Sequence, residues 1–306
     1  MDDDAQTDPP GAGAPRLLAT SDLHVNRTEN SDVVRDLHPT HPGDWLIVAG
    51  DVGDRVDSVR WALSVLAERF ERVIWVPGNH ELWTPPADEV QLVGPARYDH
   101  LVEVCRSLGV LTPEDEWPVF AGTLLCPMFL LYDYSWRTRP DMAGMTTAAA
   151  LETAREAGVV ATDEFLMSSD PHPDPPSWCA ERLAVTRERL AARPPGMPTV
   201  LINHWPMTAL PMQVLRHPEF SLWCGTAETA RWHVEHDAVA VVYGHLHLPR
   251  TTWEDGVRFE EVSVGYPREW QRHDLVRGPL RQILPAPEPQ EHDPFTAWAL
   301  AHGARW

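Results

Sequence analysis

The amino-acid sequence predicts an α/β fold. Short apolar runs that end in polar residues alternate with segments in which apolar residues recur at helical spacing, which is the pattern of βα units. The chain has 306 residues, of which 43% are hydrophobic and 23% are charged, so it is long enough to bury a large core. Asp, His and Asn residues follow several of the predicted strands, where open α/β sheets usually place their sites.

The predicted single domain spans residues 16–284. Residues 1–15 are rich in Asp, Pro, Gly and Ala, so they are expected to form a disordered leader. Residues 285–306 are expected to form a Pro-rich C-terminal tail, in which the apolar segment Phe295–Leu300 would dock as a short helix. The first residues are acidic and no apolar segment follows them, so the sequence predicts no signal peptide.

The first half of the domain contains three predicted strands and two helices. The strands are short apolar runs: Leu17–Ala19, Trp45–Ala49 and Val73–Val76. The helices are predicted from two apolar stripes at helical spacing: Val56, Val59, Leu63, Leu66 and Phe70, then Tyr98, Leu101, Cys105 and Leu108. Both stripes are interpreted as faces that pack on the sheet.

The second half continues the sheet after a long excursion. Four further strands are predicted: Val119–Phe129, Thr199–Ile202, Ala238–Tyr243 and Phe259–Val264. Residues 132–198 form a predicted helical insertion. Its helices cover about Thr146–Ala157 and about Trp178–Ala192, with a Pro-rich break at 171–176 between them.

Charge and cysteine content exclude several classes of protein. A formal net charge of −20 repels nucleic-acid backbones, so a long nucleic acid is not an expected partner. The most apolar stretch, Leu124–Leu131, is far shorter than the roughly 20 residues that span a bilayer, so no membrane segment is expected. The four cysteines form no CxxC pair, which favours free thiols in a soluble protein of the reducing cytoplasm.

Five of the predicted strands are followed by oxygen and imidazole side chains. The residues are Asp22-Leu23-His24, Gly50-Asp51, Gly78-Asn79-His80, Asn203-His204 and Gly244-His245-Leu246-His247. If these strands share a sheet, their carboxyl ends converge on one edge. A ligand set without thiolates suits Mn, Fe or Zn in a catalytic site better than it suits a structural zinc site.

The ordered set DxH, GDxxD, GNHE, a single His and GHxH resembles the calcineurin-like metallophosphoesterase family. The five blocks run from Asp22 to His247, and their joint occurrence in this order is far more specific than any one of them. The resemblance implies a four-layer α/β/β/α sandwich with two mixed sheets, which the strand pattern alone does not predict. It also implies an enzyme that hydrolyses phosphoesters with two metal ions.

The resemblance further implies a role for each matching residue. Seven residues would hold two ions: Asp22, His24 and His247 the first, Asn79, His204 and His245 the second, with Asp51 bridging them. The ions, divalent or of mixed valence, would be Mn, Fe or Zn and would supply a bridging hydroxide as the nucleophile. Three residues would be catalytic: His80 as the general acid for the leaving alkoxide, with Asp54 and Glu81 to orient it.

The substrate is indicated by a second, weaker resemblance. Trp178–Arg182 and Val262–Trp270 resemble an actinobacterial branch of the family that includes phosphopantetheinyl hydrolases, which remove the 4′-phosphopantetheine arm from acyl carrier proteins. Holo acyl carrier protein is therefore an expected substrate. Carrier proteins are usually acidic, so a chain of net charge −20 would need a local basic face, for which Arg268, Arg272 and Arg277 are candidates.

Alternative functions stay open at this point. A small-molecule or cyclic-nucleotide phosphodiesterase would use the same motifs, with the aromatic residues of Tyr132–Arg137 stacking a base; the same residues could instead pack under the insertion. Arg55, next to Asp54, is a candidate phosphate contact. A non-catalytic scaffold or a metal-storage protein would keep the fold without turnover.

Overall fold

Two β-sheets pack against each other, and helices cover their outer faces. The structure, a computed structural model, describes residues 13–271 and 278–287. Buried apolar side chains from both sheets form one cluster between the sheets, and a larger cluster joins the outer faces to the helices. The four-layer α/β/β/α sandwich that the family resemblance implies is therefore confirmed.

The first sheet is mostly parallel. Its four strands are β1 (Leu17–Thr20), β2 (Trp45–Val48), β3 (Arg72–Trp75) and β10 (Arg281–Leu284). β1, β2 and β3 run in parallel, and β10 pairs antiparallel with β1 at the edge. Along β2, Ile47 belongs to the cluster between the sheets, whereas Leu46 and Val48 belong to the cluster beneath the helices. This alternation follows from the two-residue period of a strand.

The second sheet has six strands in the order β4-β5-β6-β7-β9-β8. They are β4 (Val119–Phe120), β5 (Thr123–Pro127), β6 (Thr199–Ile202), β7 (Ala238–Tyr243), β8 (Thr251–Glu254) and β9 (Val257–Glu261). The central strands β5, β6, β7 and β9 are parallel, whereas β4 and β8 pair antiparallel at the two edges. The carboxyl ends of the central strands therefore lie along one edge of the sheet.

Nine α-helices lie in the part of the chain that the structure describes. They are α1 (Thr28–Asp36), α2 (Val56–Ala67), α3 (Asn79–Leu82), α4 (Gly94–Ser107), α5 (Thr147–Glu156), α6 (Asp163–Leu166), α7 (Pro175–Ala191), α8 (Trp232–Glu235) and α9 (Pro267–Trp270). α2 buries Val59, Leu63 and Leu66, so the predicted apolar stripe is a core face. None of these helices is both long and apolar enough to cross a membrane.

Two observed strands were not predicted, and one predicted strand is divided into two strands. The segment Val119–Phe129 contains the hairpin β4–β5, because Ala121 and Gly122 turn the chain with φ values of 46° and 81°. The edge strands β8 and β10 were not expected, and β9 begins two residues before the predicted Phe259. The strands β6 and β7 have the predicted limits.

The predicted helical insertion at 132–198 contains α5, α6 and α7. α5 agrees with its prediction to within one residue at each end. α7 begins at Pro175, inside the predicted break at 171–176, because proline fits the first helical turn, where its missing N–H needs no partner. Asp174 caps the helix by accepting a hydrogen bond from Ser177 N at 2.8 Å.

Several expectations lie outside the described residues. These are most of the leader at 1–15, the C-terminal tail after residue 287 with Phe295–Leu300, and the basic residues Arg272 and Arg277. The single-domain boundaries stay a prediction.

Asp44 organises the amino ends of the first sheet. Its buried carboxylate accepts hydrogen bonds from the backbone N–H groups of Arg16, Thr40 and His41 at 2.8 to 3.0 Å. Burial alone raises the pKa of Asp44, but these backbone donors outweigh it and hold the pKa below its ordinary value. The carboxylate therefore joins the start of β1 to the loop before β2.

We predict that Asp44→Ala lowers the free energy of unfolding by about 3 kcal/mol, because it leaves several buried donors without an acceptor. Urea unfolding at neutral pH measures this loss. Because the folded pKa of Asp44 is depressed, its contribution is complete above the unfolded pKa and is lost as the pH falls through the folded value. Asp32→Ala is the control, since Asp32 is 65% exposed in its pair with Arg35 and its loss should cost under about 0.5 kcal/mol. Equal losses in the two variants would contradict the role of Asp44.

Candidate metal centre

The predicted metal ligands converge where the carboxyl edges of the two sheets meet. β1, β2 and β3 of the first sheet lead into Asp22, Asp51 and Asn79. The second sheet supplies the histidines that follow β6 and β7: His204, His245 and His247. The strands that precede the predicted ligands therefore do not share one sheet, as the sequence analysis had assumed. The face-to-face packing of two sheets brings the strand ends together instead.

One group of three ligand atoms forms around His247. Its Nε2 lies 3.1 Å from Asp22 Oδ1 and 3.1 Å from His24 Nε2. The remaining distance, between His24 Nε2 and Asp22 Oδ1, is 3.9 Å. The three atoms thus point at one common position.

A second group forms around Asn79. Its Oδ1 lies 3.2 Å from both His204 Nε2 and His245 Nδ1. Asp51 stands between the two groups, with Oδ2 3.5 Å from His204 Nε2 and further close contacts to Asp22 and His24. The arrangement brings together all seven residues that the resemblance assigns to metal binding, although their binding of an ion stays a prediction.

These residues fit a pair of metal ions. Two ligand atoms that each lie about 2.1 Å from one ion are at most about 4.2 Å apart, and every distance within the first group meets this limit. The imidazole nitrogens of His24 and His247 face each other, where only one proton could lie between them. Carboxylate, amide oxygen and imidazole are donors that Mn, Fe and Zn accept.

The backbone at the site is strained. Nine non-glycine residues in the described part of the chain have positive φ, and five of them are predicted ligands: Asp22, His24, Asp51, His245 and His247. Such conformations cost roughly 1–3 kcal/mol each and persist where function requires them. The positive φ values direct these side chains from the strand ends towards the predicted metal centre.

Two glycines of the motifs are required by close approach. A Cβ on Gly78 would lie 2.1 Å from Asp51 Oδ1, and a Cβ on Gly244 would lie 2.2 Å from Asp22 Oδ2. Any side chain at either position would displace a predicted ligand. This explains why Gly precedes Asn79 and His245 in the sequence.

The buried carboxylates and imidazoles of the site shift the pKa values of one another. Burial raises the pKa of Asp51, but His204 and His80 outweigh it, so the pKa lies well below its usual range. Burial lowers the pKa of His204, but the charge of Asp51 raises it to about 9. Burial and the neighbouring His204 lower the pKa of His245 to about 3. Asp51 is therefore ionised and available as a hard oxygen ligand.

His80 has the environment of a general acid. Its Nδ1 lies 2.7 Å from Asp54 Oδ1, and its Nε2 points towards Asp51 Oδ2 at 3.7 Å. Burial lowers the pKa of His80, but Asp51 and the hydrogen bond to Asp54 raise it above its ordinary value overall. The protonated ring can therefore donate from Nε2 while Asp54 holds Nδ1.

Glu81 binds backbone groups of the neighbouring loops, and its predicted role in orienting His80 stays a prediction. Its carboxylate accepts hydrogen bonds from the backbone N–H groups of Asp51, Val52 and Gly78. Burial, followed by the charge of Asp51, raises the pKa of Glu81 to about 7. Glu81 thus joins the loops that follow β2 and β3, and its influence on the site runs through the backbone.

Two carboxylates at the site were not predicted from the sequence. Asp163, in the insertion, accepts hydrogen bonds at Oδ1 from Asn79 Nδ2 at 2.9 Å and from Trp83 Nε1 at 2.7 Å. Because the amide nitrogen of Asn79 faces Asp163, the amide oxygen of Asn79 faces His204 and His245. Glu269 lies 2.7 Å from His247 Nδ1. Partners of this kind orient metal ligands.

The segment Tyr132–Arg137 is part of the core. All three of its aromatic side chains are buried. The guanidinium of Arg137 donates to the carbonyl oxygen of Met145. Of the two interpretations, the packed aromatic cluster is the one the structure shows, so no exposed base-stacking cap is formed by these residues.

Comparison with known proteins agrees with this site. Residues 15–249 match the model of the calcineurin-like phosphoesterase family. The chain belongs to the calcineurin-like phosphoesterase family. The predicted membership and the predicted class, a metal-dependent phosphoric ester hydrolase, are therefore confirmed.

One similar protein, PptH of Mycobacterium tuberculosis, matches both in sequence and through its crystal structure. The chain is 54% identical over 278 residues to the [acyl-carrier-protein] phosphodiesterase PptH, which covers 90% of this chain and 85% of that protein. The crystal structure of phosphopantetheinyl hydrolase (PptH) superposes with a TM-score of 0.88 and 53% identity. It covers 91% of this chain and 99% of that chain.

We predict that Asp51→Asn and His204→Ala each lower the metal content of the purified enzyme from about two ions per chain to one or fewer, because each removes a ligand that Mn, Fe or Zn requires. His80→Ala should retain the metal content of the wild type. Elemental analysis by mass spectrometry after dialysis measures all three. Full metal content in His204→Ala would contradict its assignment.

We further predict that Asp163→Ala weakens metal binding by about tenfold, since the Asn79 amide loses the partner that fixes its orientation. Metal-titration calorimetry of the apo-protein gives the affinity. Glu164→Gln is the matched control, because a Gln oxygen still accepts from Tyr134 and Trp223 as Glu164 does. An unchanged affinity in Asp163→Ala with a reduced one in Glu164→Gln would reverse this interpretation.

Proposed function

We propose that this enzyme is a phosphodiesterase that removes the 4′-phosphopantetheine arm from holo acyl carrier protein and frees the carrier serine. The observation that carries the proposal is the 54% identity, across 90% of the chain, to a protein named as an acyl-carrier-protein phosphodiesterase. The chemistry of the site supports it, since a serine alkoxide is a poor leaving group and His80 can protonate it.

The proposed ligands divide into two sets that share Asp51. Asp22, His24 and His247 form one set, and Asn79, His204 and His245 form the other. Mn, Fe or Zn ions, when bound there, supply a hydroxide nucleophile and neutralise the phosphoryl oxygens. Each set combines residues that follow strands of both sheets.

His80 and Asp54 perform the proposed proton transfer. As the bond between phosphorus and the serine oxygen breaks, His80 Nε2 gives its proton to that oxygen, while the oxygen of water becomes part of the released phosphopantetheine. Asp54 accepts the hydrogen bond from His80 Nδ1 and stabilises the charged ring before transfer. The products are apo carrier protein with a free serine hydroxyl and 4′-phosphopantetheine.

The second proposed substrate class, small or cyclic nucleotides, has less support. The aromatic residues that would have stacked a base are buried in the core. Small diesters are nevertheless suitable activity controls, because they need only the metal centre.

We also propose that the enzyme acts in the cytoplasm. Its four cysteines, Cys105, Cys126, Cys179 and Cys224, are free and buried. A reducing compartment keeps such thiols unpaired, and acyl carrier proteins would meet the enzyme there.

Incubation of wild-type enzyme and Mn²⁺ with holo acyl carrier protein should lower the intact mass of the carrier by one phosphopantetheine group. His80→Ala should slow this reaction by roughly 10²- to 10⁴-fold while it retains metal, because the leaving alkoxide needs its proton. Hydrolysis of bis(p-nitrophenyl) phosphate is the control, since nitrophenolate leaves without much protonation. An intact carrier beside a hydrolysed control would refute the carrier substrate, and equal rates for His80→Ala and wild type would refute the acid.

A further inference from the structure

We infer that Arg27 and Arg268 form the docking surface for the acidic body of the carrier protein. This inference rests on the proposed function and concerns the side of the metal centre on which the carrier lies. Arg27, Arg268 and the Tyr266 ring that both guanidinium groups approach form what we call the arginine rim.

Tyr266 marks the place where the leaving group departs. Its hydroxyl lies 3.5 Å from His80 Nε2, the nitrogen that is not held by Asp54. Its ring stacks on the imidazole of His24, with the centroids 4.4 Å apart and an interplanar angle of 21°. A serine oxygen that takes its proton from His80 Nε2 therefore leaves next to Tyr266.

The carrier body must follow its serine. The serine is part of the carrier backbone, so the protein surface around it cannot lie far from the departing oxygen. The arginine rim occupies that position, because the guanidinium carbons of Arg27 and Arg268 lie 5.9 and 5.7 Å from the centre of the Tyr266 ring. Contact between carrier and rim thus follows from the position of His80.

The rim presents two cations to solvent. Arg27 is exposed, and no carboxylate of the described residues forms an ion pair with it. Arg268 is 78% exposed, and its one ion pair with a described residue is a long contact of 3.8 Å to Glu269. The carboxylate of Glu269 also binds His247 and the backbone N–H of Tyr266. Glu29 is the nearest exposed acid along α1. Both guanidinium groups are therefore available to carboxylates of a partner.

The loop that carries Arg27 and the start of α9, which carries Arg268, are held together before any partner binds. Asn30 is fully buried and donates hydrogen bonds to the carbonyl oxygens of Leu23 and Gly265 at 2.8 and 2.9 Å. Its own oxygen accepts from Trp270 Nε1 at 2.8 Å. These bonds tie the loop after β1, which carries Arg27, to the segment that carries Arg268. Because these two backbone segments are already fixed, only the arginine side chains need to become ordered on binding.

The net charge of −20 does not prevent this contact. Charges separated by more than about 8 Å are largely screened at physiological ionic strength. At contact distance the carrier meets the arginine rim and not the average charge of the chain. The acidic chain therefore offers an acidic partner a local cationic surface beside the metal centre.

Charge reversal tests the docking surface. Arg27→Glu and Arg268→Glu should each lower kcat/KM for holo acyl carrier protein by about tenfold, and the double variant by about a hundredfold, mostly through KM. The rate with bis(p-nitrophenyl) phosphate should stay within about twofold of the wild type, because a small diester carries no carboxylates for the two arginines to bind. The loss with the carrier should shrink at high ionic strength.

The matched control is Arg231→Glu. Arg231 is 62% exposed and pairs with Asp255, in the turn before β9 at the end of the second sheet opposite the metal centre. Its kcat/KM should be unchanged for both substrates. Arg27→Gln and Arg268→Gln, checked by thermal melting, replace the reversals if these impair folding, and should show a smaller loss with the carrier alone.

Each outcome decides between the claims. If the double variant cleaves the carrier as fast as the wild type, or loses activity equally on both substrates, the docking surface is overturned and the proposed function stands. If the wild type leaves the carrier intact while it hydrolyses the small diester, the proposed function fails and the docking surface fails with it. A loss confined to the carrier supports both.

Discussion

The site depends on the buried carboxylate of Asp51. Its Oδ1 accepts a hydrogen bond from the His80 N–H at 2.9 Å, and its Oδ2 faces His204 across the boundary between the sheets. A buried carboxylate is stable only where donors or opposite charges surround it. That requirement keeps the end of β2 opposite the end of β6, so the stability of one charged group fixes the relative position of residues supplied by two sheets.

Most of the site could be predicted from the sequence, because each proposed ligand follows a strand within a few residues. Strand direction brings such positions to one edge, and the glycines beside them record how closely the backbone approaches. The division of the strands between two sheets could not be predicted this way. A strand that is apolar on both faces shows that it is covered twice, but its sequence does not show whether a sheet or a helix covers it.

The residues that orient the proposed ligands could not be predicted from the sequence for a different reason. Asp163 and Asn79 are 84 residues apart, and Glu269 follows His247 by 22 residues. Acidic residues are common on surfaces, so nothing in their local pattern distinguishes these two from solvated neighbours. The edge strands β8 and β10 could not be predicted from the sequence either, because short, partly exposed strands have little apolar periodicity.

The contact between Asp163 and Asn79 has a consequence for protein engineering. The insertion resembles a detachable module, since it lies between two strands of the second sheet and has helices of its own. Yet it contributes a side chain that orients a residue at the end of the first sheet. A chimera that exchanged the insertion between related enzymes would also have to exchange the segment around Asn79. The two segments are therefore expected to be compatible only when both come from the same enzyme.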